Sequence, residues 1–308
     1  MNSDFEVTIL GASAAMPSKN AWLSGHYVRA RNLHILIDCG EGTQFQLLRC
    51  EISPLKLTHI FITHLHGDHY FGLIGLLSSM CLQKREQPLH LFAPSGLDEM
   101  ITLHARHSHI IFPFPIHFHS LPDSPSVLWE DEEWSVQNFS LNHRIFCQGF
   151  LIQEKPPKRK ILRHKLPANL PFHLFPLLQD GKDVEFNETL YKNEDVTTIS
   201  YYPRSYAYCS DTAYYEEILP FIENVDLLYH ETTFLAKDTE TALSTYHSTS
   251  VQAATIAQKA NAKGLIIGHF STRYKDLNVF LEEAKAIFPN THLAESGKVF
   301  GIEKKADL

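Results

Sequence analysis

The chain has 308 residues, of which 44% are hydrophobic and 20% are charged, a composition typical of a folded, water-soluble protein. The formal net charge of −8 argues against general affinity for nucleic acid but leaves room for a local basic patch. The N-terminus lacks the basic start and long apolar core of a signal peptide, and no window supplies the ~18 apolar residues of a membrane span. With five scattered cysteines and no CxxC pair, the sequence predicts a cytoplasmic protein with reduced thiols and no membrane contact.

The first predicted elements are strands that run into polar turns. Residues 5–11 are predicted to form a strand that enters a loop of small residues. Residues 34–50 combine a strand, a glycine-containing turn and a helix. Residues 57–69 repeat the strand-to-turn pattern and precede an apolar helix at 70–83. Polar residues therefore collect where strands end.

The second half of the chain continues this pattern. Strands are predicted at 135–143, 226–234 and 263–270, the last two ending near histidines. Between these two, residues 250–261 have helical spacing, with Ser250 as the expected N-cap. Because the strands either form hairpins or lead into helices, the pattern predicts packed sheets covered by helices rather than regular βαβ repetition.

One segment, residues 154–186, differs from the rest of the predicted single domain, which spans residues 1–308. Its five prolines exclude a long regular helix. We interpret it as a basic arm inserted into the domain; the alternative is an ordinary solvated surface loop. Six basic side chains lie close together near its start: Lys155, Lys158, Arg159, Lys160, Arg163 and Lys165.

The sequence THLHGDH at residues 63–69 places His64, His66, Asp68 and His69 at the end of a predicted strand. Buried imidazoles and a carboxylate without partners cost stability, so the cluster indicates a bound ligand. These donors suit a divalent ion such as zinc, with manganese or cobalt as substitutes. His64 and His66, two residues apart, point to one side of an extended segment. A turn could direct Asp68 and His69 to a second ion, so the spacing favours two metals over one.

Three further candidate ligands, His143, Asp211 and His269, close other predicted strands. Each alone is as readily explained as a buried histidine or a helix-capping aspartate, but together they complete a two-ion site. A second histidine-rich run at residues 104–119 lacks a neighbouring Asp-His pair, so we expect structural or surface histidines there.

These motifs resemble those of a known enzyme family. THLHGDH, LNH, SDT and GHFSTRY together resemble the metallo-β-lactamase fold superfamily. The additional motifs GASAAMP, GEGTQ, HETTF and HSTSVQAA are similar to ribonuclease Z, the tRNA 3′-processing endonuclease, and extend the likeness over residues 11–274. The resemblance implies an α/β fold, a four-layer αββα sandwich, with two zinc ions per subunit in a cleft at one edge of the sheets.

The resemblance also implies a role for each candidate ligand. His64, His66 and His143 would hold the first zinc ion. Asp68, His69 and His269 would hold the second, and Asp211 would bridge the two. Asp68 would in addition act as the proton acceptor.

Three more residues gain roles only through the resemblance. His247 would assist departure of the 3′ oxygen, Glu231 would orient His247, and Arg273 would meet a phosphate oxygen. From the residues alone, His247 is more readily explained by a hydrogen bond to its own loop at the start of a helix. Arg273 is equally explained by a structural salt bridge.

The implied reaction is hydrolysis of precursor tRNA next to the discriminator base, with a 3′-hydroxyl left on the tRNA and a 5′-phosphate on the trailer. Basic arm residues would contact phosphates, which set affinity and register rather than sequence choice. The family implies a homodimer in which the arm of one subunit serves the active site of the other. Two alternatives are a phosphodiesterase of the same fold acting on small molecules and a catalytically silent, metal-stabilised RNA-binding scaffold.

Overall fold

The computed structural model describes residues 4–18 and 21–304. Most strands belong to two seven-stranded sheets, and the remaining four form two small two-stranded sheets. The strands are β1 (Phe5–Gly11), β2 (Gly25–Ala30), β3 (Leu33–Ile37), β4 (His59–Phe61), β5 (Leu89–Ala93), β6 (Ile116–Ser120), β7 (Ser126–Glu130), β8 (Trp134–Ser140), β9 (Gln148–Glu154), β10 (Lys160–Ile161), β11 (Val184–Phe186), β12 (Thr189–Tyr191), β13 (Thr197–Thr198), β14 (Ser205–Cys209), β15 (Leu227–Glu231), β16 (Leu265–Gly268), β17 (Thr291–Leu293) and β18 (Val299–Gly301).

The helices lie between these strands in the chain. They are α1 (Thr43–Arg49), α2 (Gly67–Tyr70), α3 (Leu73–Leu82), α4 (Leu97–Ser108), α5 (Leu174–Gln179), α6 (Asn193–Val196), α7 (Leu219–Ile222), α8 (Thr239–Thr245), α9 (Ser250–Lys259) and α10 (Asn278–Lys285). In the part of the chain that the structure describes, no helix is both long enough and apolar enough to cross a membrane.

The two large sheets pack against each other and bury a common core. Their strand orders are β18-β1-β2-β3-β4-β5-β6 and β17-β16-β15-β14-β9-β8-β7. Phe61 of the first sheet packs with Phe150 of the second at a ring separation of 5.2 Å, and both are fully buried. Helices α1, α3 and α4 pack on the outer face of the first sheet, and α9 and α10 on that of the second. The predicted four-layer αββα sandwich is confirmed.

The predicted arm is a small lobe inserted between β9 and β14. It contains its own apolar cluster, in which Leu166, Leu170, Leu178, Val184 and Val196 are buried. The lobe continues beyond residue 186, because β10 pairs with β13 and β11 pairs with β12. The abundant prolines agree with its short elements, since α5, which contains Pro176, has only six residues.

A buried ion pair holds the two ends of this lobe together. The Arg204 guanidinium donates to both carboxylate oxygens of Glu154, from Nε at 2.8 Å and from Nη2 at 3.1 Å. Its Nη1 also donates to Asp4 and to the carbonyl of Ile302. The start and end of the lobe are therefore bonded to each other and to the residues just before β1 and just after β18 of the body.

The N-cap of α9 is Thr249, and the prediction of Ser250 was wrong by one residue. The Thr249 hydroxyl accepts from the Gln252 N–H at 3.2 Å, while the Gln252 side chain accepts from the Thr249 N–H at 2.9 Å. This reciprocal pair satisfies two otherwise unbonded N–H groups. Ser250 is buried in the first turn, where it donates to Glu283.

Candidate metal centre

The candidate site lies at one edge of both sheets. Strands β3 to β6 run parallel to one another, as do β14 to β17, so the carboxyl ends of each group meet at a common edge. The segment 64–69 follows β4, Asp211 follows β14, and His269 follows β16 directly. His143 lies in the turn between β8 and β9. The predicted ligands thus come together although they are far apart in the chain.

The first group of donor atoms comprises three imidazoles and one carboxylate. His66 Nδ1 lies 3.1 Å from His64 Nε2 and 3.2 Å from His143 Nε2. Oδ2 of Asp211 lies 3.6 Å from His64 Nε2 and 3.9 Å from His143 Nε2. All four donor atoms lie within 4.8 Å of one another, as the ligands of one ion must.

The second group comprises Asp68, His69 and His269. Oδ2 of Asp68 lies 3.6 Å from His69 Nε2 and 3.5 Å from His269 Nε2. The other oxygen of Asp211, Oδ1, lies 3.4 Å and 3.2 Å from the same two nitrogens. One carboxylate therefore presents one oxygen to each group, which is the arrangement a bridging ligand requires.

Hydrogen bonds on the opposite ring nitrogens orient three of these histidines. His69 Nδ1 donates to Asp38 at 2.7 Å, His269 Nδ1 to the Thr233 hydroxyl at 2.9 Å, and His143 Nδ1 to the Tyr246 carbonyl at 3.1 Å. Such partners fix the tautomer and direct the free nitrogen towards a metal.

The donor set fits a divalent metal ion. Among the described residues, Nε2 of His69 and Nε2 of His269 are buried without any hydrogen-bond partner. Buried unpaired polar atoms are unfavourable, and here both face the carboxylates of Asp68 and Asp211. A cation with nitrogen and oxygen ligands satisfies all of these groups. The cluster is a site for a divalent metal.

The protonation states of the first donor group suit metal binding. Burial lowers the pKa of His64, His66 and His143, so these imidazoles are neutral with free lone pairs. Burial alone would raise the pKa of Asp211, but the neighbouring His269 and His69 outweigh it and hold that pKa well below its usual range.

The predicted pair Glu231 and His247 adjoins the cluster. Glu231 is fully buried and accepts hydrogen bonds from the Thr212 and Ser248 N–H groups, both at 3.1 Å. It also accepts from His247 Nδ1 at 2.8 Å. Burial alone would lower the pKa of His247, but the Glu231 charge and hydrogen bond raise it to about 9. Glu231 therefore fixes the ring and keeps it protonated.

A cavity of about 860 Å³ opens beside the metal site, a volume in the usual range of ligand-binding pockets. Its lining includes His247, Asp68 and two arginines, Arg273 and Arg144. The Arg273 guanidinium lies 4.9 Å from the ring of Phe234. Arg144 was not predicted from the sequence, although its position next to His143 was a usable signal.

None of the predicted arm residues lines this cleft. Lys155 pairs with Glu130 at 2.8 Å, and Arg159 donates to Thr197 at 2.6 Å. Of the six predicted arm residues, the exposed ones are Lys158, Lys160, Arg163 and Lys165.

Asp38 is the second residue that sequence reasoning missed. It is fully buried with a left-handed backbone (φ 58°), a conformation that costs energy in a residue other than glycine. Besides His69 it accepts from the Thr63 N–H at 2.9 Å and the Tyr208 hydroxyl at 3.0 Å. Its signal was a carboxylate at a strand end within DCGEGT.

Comparisons with known proteins agree with this site. A family model described as anti-Pycsar protein Apyc1 matches residues 5–109, which is less than half of the chain. Curated proteins named ribonuclease Z match far more. That of Cytophaga hutchinsonii is 44% identical over 305 residues, covering 98% of this chain and 97% of the relative. That of Bacteroides fragilis is 40% identical over 294 residues, covering 94% and 97%.

Solved structures with a similar fold include a tRNase Z. The short form of human tRNase Z superposes with a TM-score of 0.72 at 29% identity, covering 97% of this chain and 99% of that chain. The metallo-β-lactamase fold protein YhfI of Bacillus subtilis, with a TM-score of 0.67 and 20% identity, covers 96% and 98% and shares the fold. Given full-length relatives at 40% identity or more, the chain belongs to the ribonuclease Z family.

Proposed function

We propose that this protein is a metal-dependent endoribonuclease that removes the 3′ trailer from tRNA precursors. Hydrolysis next to the discriminator base would leave a 3′-hydroxyl on the tRNA and a 5′-phosphate on the trailer. One observation carries the proposal: a complete ligand cluster and the Glu231–His247 pair share a single cleft in a member of this family.

We infer that the resident metal is zinc, two ions per subunit. His64, His66 and His143 would hold one ion and Asp68, His69 and His269 the other, with Asp211 shared. The two separate donor groups, one on each oxygen of Asp211, support two ions. When bound, such ions supply an acidified water and neutralise charge on the phosphate.

The surrounding side chains would handle protons and position the RNA. The protonated His247, held by Glu231, would give a proton to the departing 3′ oxygen. Asp68, whose Oδ2 accepts from the Ala15 N–H at 2.8 Å, would accept a proton on the other side. Arg273 and Arg144 line the cleft, where each would contact a phosphate oxygen.

We further propose a cytoplasmic homodimer in which the arm of each subunit serves the active site of the other. None of the basic lobe residues lines the cleft of its own chain, which supports this arrangement. Exposed apolar side chains on α1, Phe45 at 56% and Leu48 at 63%, offer a surface for a second copy. The cysteines are all free, as expected for a reducing compartment.

The test is to incubate the zinc-loaded protein with a trailer-bearing tRNA precursor and to map both product ends. We expect one cut next to the discriminator base with the stated end groups, and loss of this cut in His66→Ala. If the RNA stays intact while a chromogenic phosphodiester is hydrolysed, the function moves to small phosphodiesters. A protein that binds the RNA but hydrolyses neither substrate would instead be a scaffold.

A further inference from the structure

The lobe exposes a large aromatic side chain. Phe172 is 87% exposed, although burial of a phenyl group is normally favourable. The chain around it is fixed, because Leu170 is buried in the lobe core and Pro171 restricts the backbone. The Phe172 carbonyl accepts from the Phe175 N–H at 3.2 Å, which closes a turn. Phe172 is therefore held out by ordered structure.

Two side chains extend this exposed ring into a small platform. The ring of Phe175 lies 5.9 Å from that of Phe172. The Arg163 guanidinium lies 4.7 Å from the Phe175 ring, and it donates to the Ala168 carbonyl at 3.3 Å. The Arg163 cation, the half-buried Phe175 ring and the exposed Phe172 ring thus lie in a row on the surface of the lobe.

The charge around this platform is one-sided. Residues 155–179 contain six Lys and Arg and no Asp or Glu, in a chain whose formal net charge is −8. Lys165 and Arg163 are exposed in the same lobe, and Arg163 lies against the Phe175 ring. The combination of aromatic rings and cations matches nucleic acid, because bases stack on the rings while phosphates pair with the cations. Protein interfaces are also enriched in Phe and Arg, but they are depleted of Lys, of which this stretch contains four.

We propose that Phe172 stacks on an exposed nucleobase of the RNA substrate, with Arg163 and Lys165 contacting the adjoining phosphates. This proposal rests on the proposed function and adds to it a site that contacts the face of a base as well as the phosphate backbone of the RNA. Phe172 is a binding residue and takes no part in hydrolysis.

The test compares substitutions at residue 172 in the zinc-loaded enzyme. Phe172→Ala removes the ring, Phe172→Leu keeps an apolar side chain without a flat face, and Phe172→Trp keeps the face. Leu190→Ala is the control, since Leu190 is 59% exposed in the same lobe and outside the platform. The readouts are KM and kcat for a trailer-bearing tRNA precursor, turnover of bis(p-nitrophenyl) phosphate, and the salt dependence of kcat/KM.

We expect Phe172→Ala and Phe172→Leu to raise KM for the RNA about 5- to 100-fold, relative to turnover of the small diester. Phe172→Trp and Leu190→Ala should keep the wild-type ratio. The slope of log(kcat/KM) against log salt should not change in Phe172→Ala, because no phosphate contact is lost, whereas Lys165→Ala should reduce it.

Two results would overturn the proposal. Full rescue by Phe172→Leu would mean that the site needs only apolar bulk, and unchanged RNA kinetics in every variant would assign the platform to a protein partner. A wild-type enzyme that leaves the RNA intact would overturn the proposed function itself, so the two failures are distinct.

Discussion

Glu231 accepts hydrogen bonds from several groups besides His247, so it is held in one position and acts as a positioning group for His247. Its buried carboxylate is bonded by Thr212, Thr233 and Ser248 as well as by the imidazole. The ring of His247 is therefore fixed before substrate binds.

The leaving-group role of His247 can be tested with a chemically altered substrate. We expect His247→Ala to lower kcat about 10²- to 10⁴-fold on normal RNA, as is typical for loss of a general acid. RNA with sulfur in place of the departing 3′ oxygen needs no proton donor, so it should restore most of the rate in this variant. Asp211→Ala, which disrupts both metal groups, should not be rescued. Equal losses on both substrates would contradict the role.

Asp38 predicts a change in metal affinity. Asp38→Asn removes the charge that accepts from His69 Nδ1, and loss of such an orienting partner typically weakens binding about 10- to 100-fold. Zinc titration against a competing chelator measures the change. Asp226→Asn, a carboxylate near the other end of a sheet, is the matched control. An unchanged zinc affinity in Asp38→Asn would assign Asp38 to the fold alone.

His26 predicts a loss of stability in acid. It is fully buried, and burial lowers its pKa to about 3, below the value near 6.5 of an unfolded histidine. The folded state therefore binds fewer protons, so the stability is complete above pH 6.5 and is lost as the pH falls from there towards 3. His26→Asn, which keeps a partner for the Tyr206 hydroxyl, should remove on the order of 2 kcal/mol of the difference in unfolding free energy between pH 7.5 and 5. An equal pH dependence in both proteins would exclude this contribution.

At the scale of elements, the turn after β3 and the loop that carries Asp68 touch through their backbones. A Cβ at Gly40 would lie 2.4 Å from the Asp68 carbonyl oxygen, so only glycine allows this approach. We expect Gly40→Ala to lower the unfolding free energy by about 1–3 kcal/mol. Gly75→Ala in α3, where the nearest atom is 3.7 Å away, should instead raise it by about 0.5–1 kcal/mol. Denaturant unfolding measures the two changes in unfolding free energy, which should have opposite signs. If Gly40→Ala changed the unfolding free energy as Gly75→Ala does, the close approach of Gly40 to Asp68 would not constrain the residue at position 40.

Strands, helices and metal ligands could be predicted where a short stretch of sequence is enough to indicate them. His64, His66 and His269 stand in short polar motifs directly after apolar strands, and the parallel strands bring those ends together. The end of the lobe was not predictable, because it depends on the pairing of β10 with β13 across 35 intervening residues. Asp38 was missed for a similar reason. Its partner His69 lies on the next strand connection, and one sequence does not reveal which carboxylate reaches it.

For the whole molecule, the Arg204–Glu154 pair connects the lobe with the body. Arg204→Met would leave Glu154 buried without its partner, a change that typically costs about 3–5 kcal/mol of unfolding free energy. The double variant Arg204→Met and Glu154→Met should recover most of this stability, because no isolated charge remains. Calorimetry of the two proteins measures the difference. A double variant as unstable as the single one would mean that the bonds of Arg204 to Asp4 and Ile302 dominate.

The separation of charge between lobe and body also governs how RNA arrives. The body is more acidic than the chain as a whole, because residues 155–179 of the lobe carry six Lys and Arg and no carboxylate. A polyanion is repelled by one part of the surface and attracted by the other, so it reaches the lobe first and is oriented before contact. The association rate should then fall steeply with ionic strength while the rate of cleavage of bound RNA does not. The lobe would thus act on the rate of encounter as well as on the strength of binding.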